Sequence, residues 1–142
     1  MVEISDELRL LWQACIVGNV DAKVVKAMKA SLMIRDHWGA SAAVRAATWG
    51  RTDSLSQLVD GGLKLNEDVD SQGNTLLHHA ARHAQYDTCT FLMQQGLTAD
   101  KPNLLGETPL TIAANLPANR YGKQETITTL STPPTKPKGT KK

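Results

Sequence analysis

Four side chains in the middle of the chain have types and spacing that could do chemistry: His78, His79, His83 and Cys89. Histidines four apart on a helix share one face, and imidazole with thiolate is a common zinc ligand set. Metal-assisted hydrolysis would also need a general base, and no glutamate stands between His79 and His83. Cys89 falls on an apolar stripe with Leu92 and Met93, so it reads as a core residue and not a ligand. The set is therefore read as structural, with no metal. Other catalytic patterns are missing as well. The chain has no glycine-rich phosphate loop and no serine in a nucleophile-elbow context. Glu67, Asp68 and Asp70 crowd one loop and read as solvated carboxylates.

The elements that would position these groups are legible from self-comparison, because a fixed period marks a repeat architecture. Segments beginning at Asp36, Asp70 and Asn103 align at spacings of 34 and 33 residues. Each has glycine at its fourth position (Gly39, Gly73, Gly106) and a small pair at the eleventh and twelfth (Ala46-Ala47, Ala80-Ala81, Ala113-Ala114). Gly62 and Gly96 recur at the twenty-seventh. A weaker copy precedes them, with Ala14-Cys15 at the pair and Gly18 where Gly50 falls. The glycines suit turns with positive φ. Thr75 and Thr108 suit helix N-caps, and Pro109 suits a first helical position. Leu55, Leu58 and Val59, like Cys89, Leu92 and Met93, recur at i, i+3 and i+4, giving each second helix one apolar stripe. Helices are expected near 6–17, 21–31, 40–49, 53–60, 74–83, 87–95, 107–116 and 123–130. An irregular loop is expected over 116–122, because Pro117 cannot continue a helix.

Composition agrees with closely packed helices. The 142 residues are 41% hydrophobic but only 4% aromatic, and alanine is the cheapest helix former. No apolar run is long enough to span a membrane, and the N-terminal segment does not read as a signal peptide. Cys15 and Cys89 read as reduced core thiols. Residues 131–142 hold Lys136, Lys138, Lys141 and Lys142 and no acid, so 1–130 carries 12 basic against 14 acidic side chains. That stretch, rich in Pro, Thr and Lys, reads as a disordered basic tail, since nothing in it offsets the entropy of ordering.

With TLLHHAA from Thr75 and TPLTIAA from Thr108, the repeat resembles the ankyrin family, whose unit is a β-turn and two antiparallel helices with a threonine-proline-leucine-histidine start. The resemblance covers residues 5–130. It is uneven: Ser41-Ala42-Ala43-Val44 replaces the start in one copy, and Thr111 stands where histidine is usual. It implies an all-α solenoid of four repeats (about 5–35, 36–69, 70–102 and 103–130) followed by the tail at 131–142. It implies that His78 bonds within its turn, partnered by Thr75, and braces neighbouring repeats. The function implied is non-catalytic binding of a protein, with no cofactor, in the cytoplasm or in nuclear or cytoskeletal association. The chain would act as an adaptor, a regulatory subunit or a small part of a larger assembly, monomeric within the complex. Family members dock partners on a concave face of turn tips and first helices. Carried over, the tips are His37, Trp38 and Ala40, then Ser71, Gln72 and Asn74, then Leu104, Leu105 and Glu107. The helix positions are Ile16 and Val17, Thr48 and Trp49, Arg82 and His83, and Asn115 and Leu116. Many of these are apolar, and exposed apolar area marks interaction sites. Trp38, Trp49 and Arg82 are the expected anchors. An alternative reading places the lysine-rich tail on an acidic surface such as nucleic acid.

Overall fold

A computed structural model describes residues 6–17, 22–27 and 41–132. Within them are helices α1 (Asp6–Val17), α2 (Ala22–Ala27), α3 (Ala42–Thr48), α4 (Thr52–Asp60), α5 (Leu76–Arg82), α6 (Tyr86–Gln94), α7 (Pro109–Ala114) and α8 (Lys123–Ser131), with one 3-10 turn at Leu65–Glu67. No strand occurs among the described residues. His37, Trp38, Gly39, Ala40, the end of the helix expected over 21–31 and the four tail lysines lie outside them.

Local signals set the helix boundaries. Ser41 and Thr108 accept hydrogen bonds from the backbone N–H of Val44 and Thr111, satisfying donors that a helix start leaves open. Pro109 follows at the first helical position of α7. At the other end, α4 and α6 close alike. Leu63 N–H reaches Leu58 C=O (3.0 Å) and Gly62 N–H reaches Val59 C=O (2.9 Å). Leu97 N–H reaches Leu92 C=O (3.2 Å) and Gly96 N–H reaches Met93 C=O (3.1 Å). This is the Schellman arrangement, which needs a left-handed residue and brings an apolar pair together, here buried Leu58 with Leu63 and Leu92 with Leu97.

Helices α3 and α5 end in the same way, but with a departure at the second. Gly50 takes φ of 70° after α3, whereas Ala84 takes φ of 56° after α5. A left-handed alanine pays a steric cost of about 1–2 kcal/mol, partly offset by its smaller loss of chain entropy and its buried methyl. Ala84→Gly is therefore expected to stabilise the protein by about 0.5 kcal/mol and raise the melting temperature by about 2 °C. A lower melting temperature would show that the methyl matters more than the backbone.

Packing forms two rows. The first helices of successive units, α1, α3, α5 and α7, stack on one another. The second helices, α2, α4, α6 and α8, stack behind them. The alanine pairs lie between first helices, fully buried at Ala46, Ala47, Ala80, Ala81 and Ala113, and permit that approach. Leu55, Leu58, Leu76, Leu77 and Leu92 fill the space between the rows. Cys15 and Cys89 are buried in the same core, and burial pushes both thiols up to about 12, so neither is reactive near neutral pH.

Candidate interaction surface

The turns between units are built by one device used twice. Asp70 Oδ1 accepts the backbone N–H of Gln72 (2.9 Å) and Asn74 (2.8 Å). Asn103 Oδ1 accepts those of Leu105 (2.9 Å) and Glu107 (3.0 Å). A side-chain oxygen that gathers two backbone donors fixes a tight turn, and Gly73 and Gly106, both with φ of 80°, complete it. The two turns are then joined. Leu104 N–H donates to Gln72 C=O (2.9 Å), and Asn103 Nδ2 donates to Asn74 Oδ1 (2.8 Å). The tips therefore form a rigid pair.

His78 locks this pair to the helices. Its Nδ1 accepts the N–H of Thr75 at 3.0 Å and lies 2.9 Å from the Thr75 hydroxyl, while Nε2 lies 3.0 Å from the Glu107 carbonyl in the next turn. A backbone N–H only donates and a carbonyl only accepts, so the ring is the neutral tautomer with hydrogen on Nε2. His79 points elsewhere, to Asp70 Oδ2 at 3.2 Å. Among the described residues no three His, Cys, Asp or Glu side chains are grouped to hold a metal ion.

Two of the loop carboxylates, Asp68 and Asp70, depart from expectation, while the Glu67 side chain lies outside the described residues. Asp68 is only 2% exposed and accepts the Ser41 hydroxyl at 2.6 Å. In the unit that has Val44 in place of the motif histidine, this bond ties the helix start to the next turn. Asp70 is half-buried and spends its carboxylate on the turn and His79. Reading these acids as solvated fails because the sequence shows a charge run but not its buried donors.

Burial alone would raise the Asp70 pKa, but hydrogen bonds from Asn74 and Gln72 and the nearby His79 hold it below the usual carboxylate range. Burial lowers His78, His79 and His83 below the usual imidazole range. The unfolded chain protonates its histidines near pH 6.5, before the folded chain does. Stability is therefore full above that pH and declines as pH falls toward the lowered folded values. Asp70 adds stability that is present above its unfolded value of 3.8 and lost as pH falls through its own lowered one. The urea midpoint is expected to be level from about pH 8 to 7 and to drop between about pH 6.5 and 5. A midpoint unchanged at the lower pH would contradict the burial of these rings.

The candidate contact residues divide into two bands. At the turn tips, Leu104 and Leu105 are 77% and 78% exposed, and Gln72 is exposed beside them. Ser71 is exposed and Glu107 half-buried. At the far ends of the first helices, Val17 and Trp49 are each 60% exposed, Arg82 and Asn115 are exposed, and Ile16, Thr48, His83 and Leu116 are half-buried. A seven-residue helix such as α5, about 10 Å long, separates the bands. On α3 and α5 between them lie the half-buried polar side chains of Arg45 and His79. Asn74 does not join either band. It is 4% exposed, and its side chain is spent on Asp70 and Asn103.

Sequence reasoning missed one recurring device at the helix ends. Arg51 Nε donates to Ile16 C=O (2.6 Å), Gln85 Nε2 to Thr48 C=O (3.0 Å), and Arg120 Nη2 to His83 C=O (3.1 Å). Each long side chain satisfies a carbonyl at the end of the preceding first helix, where no helical partner exists. Arg51 and Gln85 stand 34 residues apart, so the period was a signal, but the changing residue type hid it. Exposed Leu10 and Tyr121 were missed as well.

These paired helices, joined turns and threonine–histidine brace define an ankyrin solenoid. The family described as ankyrin repeats, three copies, matches residues 11–103, which is over half of the chain. The chain belongs to the ankyrin-repeat family. It is similar to the Transient receptor potential cation channel subfamily A member 1 homolog of Caenorhabditis elegans, at 34% identity over 82 residues, 58% of this chain and 6% of that protein. It is also similar to the Neurogenic locus notch homolog protein 1 of Xenopus tropicalis, at 36% identity over 59 residues, 42% of this chain and 2% of that protein. The chain thus spans a small fraction of the length of these curated relatives. Ankyrin repeats are protein–protein interaction modules. No described helix is long and apolar enough to cross a membrane.

Proposed function

We propose that residues 1–130 form one binding unit of four repeats that holds a protein partner and performs no chemistry of its own. Partner contact runs across the turn tips and the far ends of the first helices. The observation that carries this reading is the exposure of Leu104 and Leu105 at the tip of a turn whose backbone is fixed by Asn103 and Gln72. Such side chains add nothing to the core and lose apolar hydration on docking. Trp49 and Val17 extend the contact at the second band. The rigid framework means little ordering entropy is lost on binding. The chain would serve in the cytoplasm as an adaptor, a regulatory subunit or a small part of a larger assembly.

Affinity capture followed by mass spectrometry tests this, with the wild type compared against Trp49→Ala combined with Leu105→Asp. Central hot-spot residues cost about 2 kcal/mol or more each, so capture affinity is expected to fall at least about 30-fold while the far-ultraviolet dichroism is unchanged. Equal capture by the folded double variant would remove this surface from consideration.

A further inference from the structure

An apolar groove of about 470 Å³ is lined by Met93 of α6, Leu97 and Ala99 just beyond it, Leu110 of α7 and Leu130 of α8. Asp100 stands in its lining, and so do Ser131 and Thr132, the last described residues of the chain. Ten residues follow Thr132, beginning Pro133-Pro134 and including Pro137 and four lysines. We propose that this groove is the docking site of the chain's own segment 133–138, with the proline rings over Met93, Leu97 and Leu110 and Lys136 near Asp100.

Three observations favour that occupant. The chain leaves α8 at the groove itself, and Thr132 already has extended backbone (φ −101°, ψ 135°). Proline fixes φ near −65° and favours an extended course, about 3.1 Å per residue in polyproline II. Four such residues carry Lys136 up to about 12 Å from Thr132, which shares the groove lining with Asp100, and all six span about 19 Å. Tethering supplies the rest: a segment joined directly to its site has an effective concentration in the millimolar range, so even a weak contact is populated. Charge matches too, since the segment carries only positive side chains and Asp100 is exposed. This inference is independent of the partner surface, which uses other residues.

The test uses the full chain. Gly139→Cys accepts a nitroxide label selectively, because Cys15 and Cys89 are buried with strongly raised pKa values. Docking is expected to relax the methyl resonances of Met93, Leu97 and Leu110 about threefold more than that of Ile127, which a freely swinging tail would reach equally well. Adding Lys136→Glu is expected to abolish that selectivity, while Lys142→Glu leaves it intact. Equal broadening at all four methyls overturns the proposal. So does selective broadening on an isotope-labelled, nitroxide-free copy mixed with the nitroxide-bearing protein, since that assigns the groove to a second copy.

Discussion

His78→Ala is expected to lower the unfolding free energy by about 3 kcal/mol, a large share of the 5–15 kcal/mol typical of a whole domain. The change removes a fully buried ring, leaves the buried Thr75 N–H without a partner, and takes one of two donors from the Glu107 carbonyl, which keeps the Asn103 N–H at 2.8 Å. An unsatisfied buried group costs about 1–3 kcal/mol, and the cavity adds to that. Because His78 joins one turn to the next, the damage should be directional. In a solenoid each unit is held by its neighbours, so hydrogen exchange in α7 and α8 should quicken more than in α1 and α3. Urea unfolding measures the first effect and exchange of individual amides the second. A loss below about 1 kcal/mol would mean that water replaces the imidazole at no great cost.

Gly122→Ala should be nearly as damaging, at about 2–3 kcal/mol. Gly122 has φ of 84°, where an alanine costs about 1–2 kcal/mol, and a Cβ there would stand 2.9 Å from the carbonyl oxygen of Ala84. That atom is backbone and cannot swing aside, so the loop over 116–122 would have to lift. Lifting it strains the bonds from Lys123 Nζ to Leu116 C=O and from Arg120 to His83 C=O, and it displaces α8 with buried Thr126 and Leu130. The melting temperature reports the loss. An unchanged value would show that the loop can ride outward without cost, contrary to its contacts. The two variants together separate the brace through the turns from the brace through the helix ends. The residues concerned share no partner, so their effects should add.

The recurring glycines, alanine pairs and threonine starts were enough to place the helices, because backbone conformation and close approach are set by local residue type, and the ankyrin resemblance they carry implied the solenoid. The role of His78 was implied by the resemblance to the ankyrin family and not by the period, since Val44 and Thr111 stand at its position in the neighbouring copies. Its bond to Glu107 crosses 29 residues. What the period did not carry was decided by tertiary structure. Asp68 became a buried partner for Ser41 because the two meet only after the units stack. Asn74 left the contact surface because the neighbouring turn brings Asn103 against it. Arg51, Gln85 and Arg120 share a role that three different residue types conceal. The apolar candidates separated into two bands because a helix length lies between a turn tip and a helix end. Sequence reports what a side chain is and how often it recurs; burial and partnership depend on which distant atoms arrive beside it.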